Sequence, residues 1–193
     1  MTQISPDSLL SLEAYARERG AYRSRVIAHK KVRTVHVGGH LTLIFEDEVT
    51  VRYQVQEMLR IERIFEEAGI RGELEAYNPL IPDGGNLKAT MLLEYPDPED
   101  RRLKLAGLKG VEDATWVQVE GHARVNAIAD EDLERENDEK TSAVHFLRFE
   151  LDEGMRRALK AGAALSIGVD HANYRESLKV AEEVRASLTG DLA

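Results

Sequence analysis

The sequence contains no cysteine among its 193 residues. Disulfide bonds, thiol nucleophiles and zinc or iron–sulfur centres held by cysteine are therefore excluded from this chain. No stretch approaches the ~18 consecutive apolar residues that a membrane-spanning helix requires. Residues 1–20 also lack the basic region and apolar stretch of a secretory signal. Because a cysteine-free chain suits a reducing compartment, we expect a cytoplasmic protein with no membrane partner.

The sequence also lacks the motifs of common cofactor and active sites. It has no serine nucleophile elbow, no HExxH zinc motif and no calcium-binding EF-hand loop. The segment 76–86 is rich in glycine and proline, but it lacks the spacing of a phosphate-binding loop and precedes a predicted strand instead of a helix. No cofactor is therefore evident, although a divalent metal held by carboxylates and histidines stays open.

The formal net charge of −9, with a pI near 5.2, disfavours general nucleic-acid binding and attraction to anionic membranes. Residues 17–33 are the exception, with seven basic side chains against one acidic side chain. Such a segment is either a solvated helix face that balances nearby acidic surface, or a docking patch for a phosphate-bearing ligand or an acidic protein. Its candidate binding residues are Arg23, Arg25, Lys30 and Lys31.

A long amphipathic helix is predicted over residues 51–68. Apolar residues recur there at three- and four-residue spacing, which favours one broad buried face. The opposite face is polar and borders either solvent or a cleft. Glu57 and Arg60 on that face are spaced to form an ion pair, and both are candidate binding residues. The predicted buried residues are Val55, Met58, Leu59, Ile61, Ile64, Phe65 and Ala68.

Residues 32–45 predict a β-hairpin with a two-residue glycine turn at 38–39. That turn would pair His36 with Leu41 across the hairpin. Because side chains alternate along a strand, His36 would then share the face of Leu41, and His40 would lie on the other face. A metal site shared by the two histidines is therefore not expected.

Strand and helix patterns follow one another without the regular strand–helix–strand repeat of a parallel sheet. This order favours a single α+β domain over 1–193, with a mainly antiparallel sheet and helices packed on one side. Residues 1–33 are predicted to be helical and basic, and residues 34–193 to carry the sheet and the remaining helices. The other predicted strands cover 87–95, 116–119, 125–129, 141–151 and 165–169.

Two short stretches are candidate catalytic sites. Asp138-Glu139-Lys140 has the D/E-x-K pattern of metal-dependent nucleases, in which carboxylates hold Mg²⁺ and the lysine steadies charge at the attacked phosphate. An acidic cap followed by a lysine is the alternative interpretation. Asp170-His171 ends a predicted strand, where the pair could perform acid–base chemistry or bind a metal, or where both could be turn residues.

His145 lies within a predicted strand whose alternation puts it on an apolar face. A histidine in such a place is either a hydrogen-bonded core residue or a metal ligand. If carboxylates and histidines converge in the fold, the candidate metal ligands are Glu57, Asp138, His145 and His171.

A family resemblance is carried by four segments: QVQEMLRIERIFEEAG, AYNPLIPDGGNLKATMLLEYPDPEDRR, ADEDLERENDEKTSAVHFLRFEL and SIGVDHANY. They resemble the bacterial domain-of-unknown-function family DUF3501, and the similarity runs over nearly the whole chain. The resemblance implies a gene neighbourhood shared with rubrerythrin and an iron–sulfur oxidoreductase of the glycolate-oxidase or heterodisulfide-reductase type. It therefore implies a role near peroxide handling, oxidative stress or cytoplasmic electron transfer, and it transfers no catalytic residue.

Two functional hypotheses follow. In the first, the chain is a non-catalytic accessory protein that binds an acidic redox partner, which the resemblance suggests is rubrerythrin or the iron–sulfur oxidoreductase. The basic segment within an acidic chain and the lack of cofactor motifs favour this hypothesis. In the second, the chain is a metal-dependent enzyme, a hydrolase or nuclease-like protein, whose carboxylates and histidines converge in one cleft.

Overall fold

Two antiparallel β-sheets lie at the centre of the structure, a computed structural model that describes residues 3–131, 135, 137 and 139–193. The strands in chain order are β1 (Thr34–Val37), β2 (Leu41–Phe45), β3 (Asn86–Leu93), β4 (Thr115–Val119), β5 (Arg124–Asn126), β6 (Ile128–Ala129), β7 (Val144–Glu150), β8 (Leu165–His171) and β9 (Tyr174–Lys179). The first sheet has the order β1-β2-β3-β7-β6, and the second has the order β5-β4-β8-β9.

Helices connect and flank these strands. Those in the described residues are α1 (Leu12–Lys31), α2 (Glu48–Glu62), α3 (Glu67–Tyr77), α4 (Pro98–Gly107), α5 (Glu153–Lys160) and α6 (Glu182–Thr189). None of them is both long enough and apolar enough to cross a membrane. Side-chain oxygens cap four of these helices by accepting a backbone N–H three residues on, which satisfies a donor that the helix leaves free. The capping residues are Ser11, Asp47, Asp97 and Asp152.

The main hydrophobic cluster contains inward side chains from both sheets. Leu43 and Phe149 come from the first sheet, and Val117 and Ile167 come from the second. Helices α4, α5 and α6 add side chains to this cluster, whereas α2 and α3 supply most of a second, smaller cluster. The prediction of a single α+β domain with antiparallel strands is confirmed, and the strands divide into two sheets.

The hairpin between β1 and β2 is present, but its register differs by one residue from the prediction. Val37 pairs with Leu41, so residues 38–40 form a three-residue turn. His36 therefore pairs with Thr42 on the face away from the core, and its Nδ1 lies 2.9 Å from the threonine hydroxyl. The predicted placement of His36 beside Leu41 is wrong, because one extra turn residue moves every later side chain to the opposite face.

The turn of this hairpin contacts Tyr174 of β9, in the second sheet. Gly38 has a φ of +73°, and a Cβ there would meet the Tyr174 hydroxyl at 2.7 Å. That hydroxyl donates to the Val37 carbonyl at 2.6 Å and accepts from the His40 N–H at 3.2 Å. The His40 ring stacks on Tyr95 with ring centroids 4.3 Å apart. Glycine is therefore required at position 38 for two reasons: the positive φ, and the closeness of the Tyr174 hydroxyl, which leaves no room for a Cβ.

The helix predicted over 51–68 is two helices. Helix α2 ends at Glu62, and Arg63 takes a left-handed conformation with a φ of +55°. Phe65 lies in the following turn with 73% of its surface exposed, and Ile61 is 57% exposed. The prediction that both are buried is wrong: Phe65 lies beyond the end of α2, and Ile61 lies within α2 but away from its buried side. Ala68, also predicted to be buried, is exposed on α3. The buried side of α2 is formed by Thr50, Val51, Val55, Gln56 and Leu59.

Candidate functional site

A buried histidine lies between the two sheets, on the inward face of β7. His145 is fully buried, and it pairs across the sheet with Met91 of β3. The alternation of β7 explains this placement, since Leu147 and Phe149 on the same face are also buried. An imidazole in this position must find hydrogen-bond partners within the protein, because water does not reach it.

Asp130 supplies one of these partners. It follows β6 directly and takes a left-handed backbone conformation with a φ of +48°. This conformation is several-fold enriched among aspartates, and here it accompanies a carboxylate that contacts β7. One carboxylate oxygen accepts from the Phe146 N–H at 2.9 Å, and the other lies 2.6 Å from His145 Nδ1. Asp130 therefore fixes both the position and the orientation of the imidazole.

The second ring nitrogen of His145 faces three oxygens. Nε2 lies 3.0 Å from the Ser142 carbonyl oxygen and 3.1 Å from the Thr141 hydroxyl. Glu112 Oε2 is 3.9 Å away, and the Glu112 side chain is about as buried as that of Asp130. Ligand atoms of Glu112, Asp130 and His145 all lie within 4.8 Å of one another, as in a group that could hold a metal ion. We call these three residues the His145 cluster.

The donor set of the His145 cluster suits a divalent transition metal. A metal-bound histidine usually donates its other ring N–H to a carboxylate, which fixes the tautomer. Asp130 stands in that orienting position, so Nε2 and Glu112 are the atoms that would hold the ion. Of the predicted metal ligands that the structure describes, His145 alone belongs to the cluster. Sequence reasoning missed Glu112 and Asp130, because they come from separate segments and no spacing links them.

Glu57, another predicted metal ligand and binding residue, joins two helices. Its carboxylate accepts from the Arg19 guanidinium of α1 at 2.7 and 2.8 Å and from the Tyr15 hydroxyl at 2.7 Å. Arg60 makes a longer contact at 3.3 Å from the same helix as Glu57. These hydrogen bonds, led by Arg19, lower the pKa of Glu57 to about 2. Burial, followed by the hydrogen bond to the Glu57 carboxylate, raises the pKa of the Tyr15 hydroxyl above its ordinary value.

The candidate pair Asp170 and His171 forms the C-terminal end of β8. The Asp170 carboxylate pairs with Arg124, whose guanidinium stacks 3.8 Å from the Trp116 ring centroid. His171 points to the opposite face, as strand alternation requires, and its Nε2 lies 2.9 Å from the Lys109 carbonyl oxygen. Its Nδ1 accepts from the backbone N–H two residues on. The two side chains therefore engage separate partners.

Of the D/E-x-K stretch, Asp138 lies outside the described residues. Lys140 is exposed, and its backbone N–H donates to the Asn137 side chain at 2.9 Å. Glu139 is also exposed, and its N–H donates to the same Asn137 oxygen. The two described members of the stretch thus belong to a turn that precedes β7.

The basic segment 17–33 divides into exposed and interior cations. Arg23, Arg25 and Lys31 are exposed on α1, and Lys30 is half-buried there. Arg25 stacks over Tyr22 at 5.5 Å. The other side of α1 faces the protein, where Arg19 pairs with Glu57. The segment is therefore only partly a surface patch.

Arg33 is the largest fully buried side chain of the structure, as far as it is described. Its guanidinium pairs with Asp191 near the chain end and lies 3.4 Å from Asp47, the cap of α2. It also donates to the carbonyl oxygens of Phe45 and Glu46 at 2.9 and 3.0 Å. Burial raises the pKa of Asp191, and the Arg33 hydrogen bond opposes that effect. Arg33 thus links three distant segments inside the protein.

These features define an α+β protein of two antiparallel sheets, with a buried carboxylate–histidine cluster and an exposed basic helix. The family model described as "Protein of unknown function (DUF3501)" matches residues 3–192. The chain therefore belongs to the DUF3501 family, which confirms the resemblance.

A solved structure is also similar to this chain over its full length. It is the crystal structure of a novel protein of unknown function from Burkholderia pseudomallei K96243. The two sequences are 57% identical, the match covers 100% of both chains, and the TM-score is 0.95. A search of the curated proteins found no match.

Proposed function

We propose that this protein is a non-catalytic accessory protein that binds an acidic partner through the outer side of α1. The observation that carries the proposal is an exposed isoleucine surrounded by cations. Ile27 has 45% of its surface exposed on the outer side of α1. Arg23, Lys30 and Lys31 are four before, three after and four after it, so all three are its neighbours on the helix surface. We call these four residues the α1 patch.

The charges of the α1 patch are available for a partner. Within the described part of the chain, the side chains of Arg23, Lys30 and Lys31 form no ion pair. Helix α1 buries only Tyr15 and Val26, so its outer side has no packing role within the chain. Complementary charge speeds encounter with an acidic surface, and an apolar side chain at the centre of such a patch adds contact area that excludes water.

The resemblance stated above suggests a redox protein of the cytoplasm, either rubrerythrin or the iron–sulfur oxidoreductase, as the partner. Binding kinetics with each purified protein at two salt concentrations test this. Reversing Arg23, Lys30 and Lys31 to glutamate should slow association roughly tenfold or more at low salt and flatten its salt dependence, since steering depends on these charges. Ile27→Ser should speed dissociation instead, because it removes contact area without changing charge.

The matched control reverses three exposed lysines elsewhere, which gives the same change of net charge. If this control slows association as much as reversal of the α1 patch does, net charge alone accounts for the effect and the patch is not the docking site. Absence of binding to both redox proteins would remove the named partners. The control lysines are Lys104, Lys160 and Lys179.

A metal-dependent activity, hydrolase or nuclease-like, is the second candidate function, and the His145 cluster favours it. Elemental analysis of the purified protein tests it directly. We expect about one divalent metal per chain, lost on His145→Ala and on Glu112→Gln, because Nε2 and the Glu112 carboxylate are the proposed ligands. His171→Ala is the matched control and should keep the metal, since that ring bonds a backbone carbonyl. Metal-free wild-type protein after purification and reloading with zinc or manganese would exclude this candidate.

A further inference from the structure

A cavity of about 440 Å³ opens on the outer face of the first sheet, opposite the face of β7 that carries His145, and no residue of the α1 patch lines it. Its floor is formed by β3 and β7, and its wall by the end of α3 and the turn that follows. The volume lies within the range of small-molecule sites in proteins. Apolar surface comes from Tyr77, Leu80 and Phe146, which are all partly exposed.

Two cations lie side by side on the floor of this cavity. Lys88 of β3 and Arg148 of β7 are direct partners across the two strands. Like charges in such positions repel each other, so each needs negative charge nearby. Arg148 is supplied with it, because Glu131 accepts two hydrogen bonds of 2.7 Å from its guanidinium and Glu150 contacts its third nitrogen.

Lys88 differs from Arg148, because the partner of its ammonium is a carbonyl oxygen instead of a carboxylate. Its ammonium donates to the Pro79 carbonyl at 2.6 Å and forms no ion pair with any residue that the structure describes. An ammonium has three N–H donors, so the carbonyl leaves hydrogen-bonding capacity directed at the cavity. Burial lowers the pKa of Lys88, as expected for a desolvated cation. An anion bound beside it would offset that cost.

The acidic side chains around the cavity limit the charge of such an anion. Both carboxylate oxygens of Glu46 accept hydroxyl hydrogen bonds, from Thr50 and from Thr90. Glu131 is occupied by Arg148, and Glu75 is exposed at the rim. A third cation on the lining, Arg135, pairs with Asp130 at 3.2 Å and lies over one face of the Phe146 ring. These carboxylates remain negative neighbours, so they disfavour a ligand of charge −2 or more. One negative charge is the best match to one available lysine.

We propose that this cavity binds a small monocarboxylate with an apolar or aromatic body. The carboxylate pairs with the Lys88 ammonium, and the body packs against Tyr77, Leu80 and Phe146. This inference does not depend on the proposed function, because none of these residues belongs to the α1 patch. The cavity adds a small-molecule ligand to a protein whose partner docks elsewhere.

The test is a titration of the full chain with 3-phenylpropionate, followed by calorimetry and by NMR of the backbone amides. We expect saturable binding that shifts the backbone amide signals of residues 77, 78, 80, 88 and 146. The uncharged analogue 3-phenylpropanamide should bind roughly tenfold more weakly or worse, since it lacks the charge that Lys88 recognises. This comparison uses the unaltered protein and so does not depend on any variant folding.

Variants then assign the charge contact to one residue. Lys88→Met should weaken 3-phenylpropionate binding roughly tenfold or more, and Lys88→Arg should keep it within about threefold, because a guanidinium also pairs with a carboxylate. Lys179→Met, an exposed lysine on β9, is the control and should bind as the wild type does. Equal affinity for acid and amide, unchanged binding in Lys88→Met, or no saturable binding to the wild type would each overturn the proposal.

Discussion

Replacing Arg33 with methionine should lower the free energy of unfolding by about 3–5 kcal/mol, the usual cost of removing one partner of a buried ion pair. Only 2% of the Arg33 side chain is exposed, and its removal leaves the Asp191 carboxylate buried without its cation. The Phe45 and Glu46 carbonyls lose their donors at the same time. Each of these groups then bears an unrelieved desolvation penalty.

Urea unfolding followed by circular dichroism measures this effect, and Lys31→Met provides the matched control. Lys31 has the same charge and lies two residues earlier, but it is exposed, so its loss should change stability by less than about 0.5 kcal/mol. The double variant Arg33→Met, Asp191→Leu should be less destabilised than the sum of the single changes, since it removes both charges. Equal costs for Arg33→Met and Lys31→Met would show that the buried network does not stabilise the fold.

The burial of Arg33 could not be predicted from the sequence. Arg33 is the last of a run of cations, two residues beyond the end of α1, and nothing in the nearby sequence distinguishes it from Lys30 or Lys31. Its burial depends on Asp191, which lies 158 residues further along the chain. Local charge patterns report the average environment of a segment and not the tertiary partner of one residue.

The strands were more predictable than their pairing. Alternation placed His145 on a buried face, because the period of two is a local property of the chain. The register of β1 against β2 depended on the length of the turn, which takes three residues, 38–40, instead of the two glycines alone. Only part of the candidate site could be predicted from the sequence. His145 was recognisable from its strand, but Glu112 and Asp130 reach it only through tertiary folding.

The end of α2 illustrates a different limit. Helices that stop in a left-handed residue usually place glycine there, and the sequence offers Gly69. The chain instead uses Arg63, and the Ile64 N–H closes the end by donating to the Leu59 carbonyl at 2.9 Å. Gly69 lies inside α3. The apolar pattern that continues through Phe65 therefore belongs to a turn, where spacing no longer reports burial.

Replacing Phe149 with alanine should destabilise the protein by about 3–5 kcal/mol, whereas Phe65→Ala should cost less than about 0.5 kcal/mol. Phe149 is fully buried between the sheets, with its ring centroid 6.5 Å from that of Phe45. Its truncation leaves a cavity that close-packed neighbours on β3 and β7 can fill only in part. Phe65 is mostly exposed, so its truncation removes little packing.

The two phenylalanine variants remove the same atoms, so they form a matched pair. Urea unfolding of both, with the denaturant slope checked to be unchanged, gives the two costs on one scale. A large cost for Phe65→Ala would restore the continuous helix over 51–68 with Phe65 on its buried side. A small cost for Phe149→Ala would contradict the shared core of the two sheets. The expected difference of at least about 2.5 kcal/mol corresponds to a change of roughly sixtyfold or more in the folding equilibrium, because about 1.4 kcal/mol is a factor of ten.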